Sequence, residues 1–327
     1  MSKKNAGATK TIVRRIDQDD FEWLGISNTR RLSKGVNRVR FRAEHRYRQR
    51  LYEDSWEELQ AEAGPVEHDP GELADGYLLD SSLKLPYLEE LTEAAEAVIA
   101  ERGDQPHTDR RKPFMRDLRQ DRDLVDHPAF LDFVLSPPVL KVASSYLRQP
   151  PLLSRTRPPG VRMVESSSKY DPEADGPYRD SQLYHRDLHD DPLLYVIVLV
   201  RDVSEESGPF TFLSESASDR VAKATGYGKR GKPYRLTDEE VYKHVDPSEA
   251  ISMAMPKGTV LFIDSSRCFH YGSRDCVVPR YQVMYAFTSS CRTDLSELLM
   301  KGKSYPVGEG DSTLRKLALD RSYRRSP

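Results

Sequence analysis

Cysteine is scarce in this chain: three in 327 residues, Cys268, Cys276 and Cys291, with no CxxC pair. An odd number outside any paired motif excludes a disulfide framework and fits a reducing compartment, so a cytoplasmic location is expected. Cys268, two residues before His270, reads as a buried or idle thiol rather than a ligand. No apolar run approaches membrane-spanning length, and the longest stops at Leu193 to Val200. The opening residues Met1-Ser2-Lys3-Lys4-Asn5 carry no hydrophobic signal segment. There is no internal repeat. A glycine-rich loop and Asp-Phe-Gly are also missing, which rules out a kinase although His185-Arg186-Asp187-Leu188 spells part of a kinase catalytic loop.

What is present is a polar, charged chain: 37% hydrophobic, 31% charged, net charge −2. The near-neutral total hides a polarity. Residues 1–50 carry 14 Lys and Arg against 5 Asp and Glu, and residues 51–100 carry 1 against 14. A basic block at Arg38, Arg40, Arg42, Arg46, Arg48 and Arg50 is a candidate nucleic-acid contact. No nucleic-acid motif accompanies it, so it is read as an arm that packs on the acidic segment beside it or on a second copy of the chain.

Helical spacing dominates the first half. Residues 1–35 look loosely attached, Val39 to Glu62 reads as a charged helix stopped by Gly64-Pro65, and Pro86 to Arg102 as an amphipathic helix with Leu88, Leu91, Ala95, Val98 and Ile99 on one face. Shorter helices are expected at 129–135 and 138–147. Beyond residue 150 short β-branched runs separated by turns take over: Val161–Ser166, Leu193–Val200, Pro209–Leu213, Gly258–Ile263 and Arg280–Phe287. Thr237-Asp238-Glu239-Glu240 is a capping box for a short helix inside an insertion at about 215–256. Strands without βαβ alternation point to an antiparallel sandwich or jelly roll. The expected fold is α+β with a mainly β core. Its parts are a charged N-terminal extension (1–64), a helical region (65–150) and a β core (151–327), with 65–327 forming one compact domain.

The chain turns on Tyr184-His185-Arg186-Asp187, which runs into the buried strand Leu193–Val200. Residues i and i+2 of an extended segment point the same way, so the His185 imidazole and the Asp187 carboxylate converge. His-x-Asp alone says little, since roughly one chance match is expected from composition. A second copy, His107-Thr108-Asp109, sits in a polar loop with no strand after it and is read as chance. Downstream, His270 follows a strand of its own, and Arg280 opens the next. His185, Asp187 and His270 then make a two-His, one-carboxylate metal site suited to iron(II) or zinc. His189, Asp190 and Asp191 are read as a solvated loop, with His189 a candidate substrate contact. Tyr184, Tyr195, Phe210, Phe212 and Phe262 are assigned to core packing.

The order and spacing resemble the phytanoyl-CoA dioxygenase family of iron(II)- and 2-oxoglutarate-dependent oxygenases. The likeness extends to Arg201-Asp202-Val203 after the strand and to Ser207-Gly208-Pro209-Phe210-Thr211-Phe212, and it covers roughly residues 150–290. The chain departs at Leu213-Ser214-Glu215-Ser216, where the family reads Pro-Gly-Ser-His, and at Gly272, where it carries a hydroxyl two residues after the distal His. The resemblance implies a double-stranded β-helix with an N-terminal helical region packed on it. It implies iron(II) on His185, Asp187 and His270. It also implies 2-oxoglutarate and O2 as cosubstrates, and Arg280 (with Arg274 as competitor) on the distal carboxylate. Gln182 and Ser273 are further cosubstrate contacts. The expected reaction oxidises an unidentified small molecule with release of succinate and CO2. The retained carboxylate of Asp187 points to hydroxylation rather than halogenation. Two alternatives stay open: a non-catalytic jelly-roll binding or scaffold protein, and a zinc hydrolase on the same triad. Arg155, Arg157 and Arg162 hint at an anionic substrate or are surface arginines. No membrane is expected as a partner, and the N-terminal arm is a candidate homo-oligomer contact.

Overall fold

The computed structural model describes residues 25–103, 112–156, 158–168, 171, 173, 176–293 and 305–325. Two successive helices, α1 (Ile26–Arg40) and α2 (Arg42–Ala63), open it. Helix α1 starts well before the expected one. Its anchors are polar and leave no hydrophobic signature: Asn37 Nδ2 donates to Arg292 O (2.7 Å), Arg30 donates to Asp190 O (2.8 Å), and the Ser27 N–H donates to Gly228 O (3.0 Å).

The basic arm also docks elsewhere than on its acidic neighbour. Arg48, fully buried on α2, donates to the carbonyls of Pro150 (3.1 Å), Pro151 (3.3 Å), Leu317 (2.6 Å) and Asp320 (2.9 Å). A buried guanidinium is tolerated when carbonyls replace its water. The arm therefore packs on the 150 turn and the C-terminal helix Thr313–Leu319. Helix α3 (Leu88–Arg102) buries Leu88, Leu91, Ala95, Val98 and Ile99, the face its spacing predicts. Helices α4 (Asp123–Asp126), α5 (Ala129–Val134) and α6 (Pro137–Leu147) complete the helical layer.

The β core has two antiparallel sheets. The larger runs β1 (Tyr77–Asp80), β8 (Val260–Asp264), β5 (Leu194–Leu199), β10 (Arg280–Thr288), β4 (Val161–Ser166), β2 (Met115–Asp117), with β3 (Leu152–Leu153) on β10. The smaller runs β7 (Ile251–Ser252), β6 (Thr211–Phe212), β9 (His270–Tyr271). This is the expected jelly-roll core with helices on one face. Strand β5 is buried on both sides, as its unbroken apolar run predicts. Val196 and Val198 face the helical layer, while Tyr195, Ile197 and Leu199 face Phe212 and Ile263. Each such side chain contributes about 1.5–3 kcal/mol on burial.

The same alternation positions the site. On β10, Tyr281, Val283, Tyr285 and Phe287 join the helix-side core, so Arg280, Gln282 and Met284 point to the inner face and line a cavity. On β4, Val161 and Met163 go to the core and Arg162 and Val164 to the cavity. The insertion holds α7 (Glu215–Thr225) and α8 (Asp238–Tyr242). The capping box forms at α8: Glu240 N donates to Thr237 Oγ1 (3.3 Å), and Thr237 N donates to the Glu240 carboxylate (2.8 Å). Among the described residues, no helix is long and apolar enough to cross a membrane.

Candidate metal centre

His185 and His270 lie on different elements but are joined as a single antiparallel bridge, N–H to O at 3.1 and 3.0 Å. Asp187 is fixed by its own N–H, which donates to Ser265 O (2.8 Å). Ser265, which follows Asp264 at the end of β8, is in turn held by its own N–H, which donates to Leu193 O (3.0 Å). The buried Asp264 carboxylate accepts from Leu193 N (3.2 Å), Ser266 N (2.9 Å), Ser266 Oγ (2.6 Å) and Tyr146 Oη (2.7 Å), tying the start of β5 to the end of β8. Nothing in the sequence marks Asp264 apart from its place after an apolar run.

The result is one cluster. His185, Asp187 and His270 each offer a ligand atom within 4.8 Å of the others, with His270 Nε2 3.6 Å from Asp187 Oδ2. Both imidazoles are oriented alike. His185 Nδ1 lies 2.9 Å from Leu183 O and His270 Nδ1 3.0 Å from Cys268 O. A carbonyl only accepts, so each Nδ1 carries the proton and each Nε2 is left with its lone pair toward the cluster. Burial, reinforced by the charges of Arg235 and His270, pushes His185 well below the ordinary imidazole range. Burial also lowers His270, against Asp187 and the Cys268 carbonyl, which raise it. Two neutral nitrogens and one carboxylate at this spacing fit a divalent first-row metal ion. The ring of Phe210 stacks on His270 with centroids 5.3 Å apart.

The cluster faces a cavity of about 550 Å³ that His185, Asp187, His270, Ser273 and Arg280 all line. Arg280 is 3% exposed, and its guanidinium donates to Gln282 Oε1 (2.6 Å), Ser166 Oγ (2.7 Å) and Ser273 Oγ (3.3 Å). Its Nε is buried without a partner, no carboxylate pairs with it among the described residues, and burial pulls it down to about 10. A buried guanidinium held by neutral groups suits an incoming carboxylate. Arg274 is differently employed. It donates to the carboxylate of Asp238 (2.8 and 2.9 Å) and lies 3.5 Å from the Tyr271 ring centroid, off the cavity wall. Gln182 is buried off the wall too. Its Nε2 donates to Ser273 O (2.9 Å) and its Oε1 accepts from Arg179 N (3.3 Å), which holds the turn that presents Ser273. At Gly272 a Cβ would sit 3.3 Å from the Arg280 guanidinium, so a larger residue would crowd it. Hydroxyls reach Arg280 from Ser166 and Ser273 instead.

Other positions depart from the sequence reading. Tyr195 and Phe210 line the cavity as well as touching the core; His189, read as a candidate substrate contact, lines the cavity too. Asp190 is not solvated: it is fully buried, accepting from Ser289 N (2.6 Å) and Asp191 N (2.8 Å). Burial raises its carboxyl to about 6 against those hydrogen bonds. Ser166, Gln282, Lys112 and Arg235 also line the site or hold it, and no motif marks them. For Ser166 and Gln282 the signal is strand alternation combined with which strands are neighbours, and only the first can be read from sequence; Lys112 and Arg235 lie outside the strands. His107, Asp109 and Arg157 lie outside the described residues.

The sequence pattern of the phytanoyl-CoA dioxygenase (PhyH) family matches residues 73–275, more than half of the chain. The chain belongs to that family. It is an iron(II)- and 2-oxoglutarate-dependent oxygenase. Several solved structures are similar in overall form. One is the epimerase SnoN in complex with Fe3+, alpha ketoglutarate and nogalamycin RO (12% identity, 78% of this chain and 98% of that one, TM-score 0.43). Another is EctD from S. alaskensis with 2-oxoglutarate and 5-hydroxyectoine (13%, 66% and 72%, TM-score 0.40). A third is HygX from Streptomyces hygroscopicus with nickel and 2-oxoglutarate (14%, 65% and 82%, TM-score 0.38). No curated protein matches the chain.

Proposed function

We propose that His185, Asp187 and His270 hold the iron(II) of this oxygenase, and that Arg280, with Ser166 and Ser273, binds the distal carboxylate of 2-oxoglutarate. The observation that carries the reading is the pairing, in one cavity, of a three-donor cluster with a buried guanidinium that has no acid partner among the described residues. Three protein donors leave room on the ion for a two-pronged keto acid and for oxygen. When bound, the iron and cosubstrate supply the oxidation of an unactivated C–H with release of succinate and CO2. The protein's own residues orient and enclose. The Leu183 and Cys268 carbonyls fix the imidazole tautomers, Arg280 sets the direction of the cosubstrate, and Tyr195, Phe210 and Met284 shield the site from water. The retained Asp187 carboxylate favours hydroxylation over halogenation.

Three buried free thiols support a cytoplasmic setting. The core of residues 151–327 is proposed to function with the helical region 65–150 as one unit, since a single hydrophobic cluster runs from Leu59 to Leu319. Leu32, Val36 and Val39, exposed at helical spacing on α1, support contact between copies through the N-terminal arm. The test of the site is anaerobic addition of iron(II) and 2-oxoglutarate. A visible charge-transfer band is expected in the wild type and not in Asp187→Ala, and a wild-type protein with no band would overturn the assignment.

A further inference from the structure

Among the described residues, three of the cations lining the cavity are in no ion pair: Arg280, already assigned to the cosubstrate, and Arg235 and Lys112. Arg235 precedes Leu236, whose main chain is bridged to Tyr184, N–H to O at 2.9 and 3.0 Å. Leu236 is buried within the insertion, and Arg235, at the bend just before it, lines the cavity. Its guanidinium rests 4.8 Å from the Tyr234 ring centroid and makes one long hydrogen bond, to Tyr234 O at 3.4 Å, while its Nε is buried and unpartnered. Lys112, at the exposed rim, leads into β2 and also lines the cavity. No ion pair to either is found among the described residues. Arg162 is different, since its Nε lies 3.0 Å from Asp117 Oδ2.

The balance of charge on the wall then isolates these two. The cavity is lined by Lys112, Arg162, Arg235 and Arg280 against Asp117 and Asp187. A doubly charged metal ion, Asp187, Arg280 and the two carboxylates of 2-oxoglutarate sum to zero, and Arg162 with Asp117 sums to zero. Arg235 and Lys112 remain: Arg235 half-buried on the wall, where a cation is costly without a counter-charge, and Lys112 exposed at the rim, where Asp180 acts on it without an ion pair.

We propose that the substrate of this oxygenase carries an oxyanion group, a phosphate or a carboxylate, which Arg235 and Lys112 bind at the open end of the cavity. This rests on the metal-centre reading and adds to it the substrate class. An arginine beside a lysine supplies a planar fork and a mobile point charge, a pairing suited to an oxyanion.

The test uses the full chain with Mn(II) in place of iron(II), 2-oxoglutarate in excess, and no oxygen chemistry. Inorganic phosphate and acetate serve as separate probes, followed by paramagnetic relaxation of their 31P and 13C signals. The expected result is saturable relaxation with 2-oxoglutarate present, stronger for whichever oxyanion the substrate bears. Affinity should fall about tenfold or more in Arg235→Gln/Lys112→Gln, as expected for losing charge-assisted hydrogen bonds. Arg235→Lys should keep most of the affinity, which guards against a misfolded variant. If wild-type protein binds Mn(II) and 2-oxoglutarate but neither probe, or if the double variant binds the probes equally well, the substrate class is wrong. If Mn(II) itself does not bind, the metal-centre reading falls and the substrate class falls with it.

Discussion

His185 and His270 exchange both main-chain hydrogen bonds across one bridge, which brings their rings to a centroid separation of 4.3 Å. Two side chains far apart in sequence are therefore registered by backbone rather than by contacts between the rings. A ligand side chain can be removed without moving the others.

Asp187→Ala follows from this. Its N–H bond to Ser265 survives the substitution, so the metal-free variant should fold and melt like the wild type. Metal affinity should fall by more than ~100-fold, beyond the 10- to 100-fold typical of losing a group that only supports a ligand. Succinate formation should be abolished. Calorimetric titration with Mn(II), alongside a melting curve, checks both halves, and intact turnover would rule out the triad.

Much of this arrangement is legible in the order of residues alone. The apolar run after Asp187 predicts a strand buried on both faces, and β5 is one. The chain order of His185, Asp187 and His270 anticipates the three-donor cluster that forms, and Arg280 lines the same cavity. What the sequence does not show is pairing. Ser166 reaches Arg280 because β4 and β10 set those two residues in register, and strand adjacency is a tertiary fact. Helix α1 escapes the reading because polar side chains such as Asn37 hold it to the core, while its apolar residues Leu32, Val36 and Val39 are the exposed ones. Asp190 reads as solvated by its residue type, yet main-chain N–H groups at both ends of its carboxylate draw it inside.

Arg280→Met separates cosubstrate binding from folding. In the free protein this guanidinium is buried with no acid beside it among the described residues. Ser166 and Ser273 already lie 2.7 Å apart and can satisfy one another when it is gone. The variant should be no less stable than wild type, because an apolar side chain replaces an uncompensated charge. Its 2-oxoglutarate affinity should drop by about 2–4 kcal/mol, roughly 30- to 1000-fold, with metal binding retained. Anaerobic titration of the charge-transfer band measures this, and an unchanged affinity would place the cosubstrate elsewhere.

Arg274→Gln should do the reverse. Arg274 is spent on Asp238, on the Tyr271 ring and on the Gln182 carbonyl. Its loss should cost about 1–3 kcal/mol of stability, as for breaking a partly buried ion pair with a ring contact, and leave 2-oxoglutarate affinity unchanged. Urea unfolding and the same titration decide between the two arginines.

Asp190 gives a dependence on pH with a definite sign. Its folded carboxyl is raised to about 6 by burial, above an unfolded value of about 3.9. Between those limits the native state holds the extra proton, so this contribution is fully present below about pH 3.9 and lost as pH rises through about 6. Asp190→Asn cannot ionise and lacks the effect. The stability of wild type minus that of the variant should therefore decline by about 2–3 kcal/mol between pH 4 and 7, then level off. The difference is the useful quantity, because every other titrating group is common to both proteins and cancels. Urea unfolding of the pair across that range measures it, and parallel curves would mean that the buried carboxyl titrates at its ordinary value.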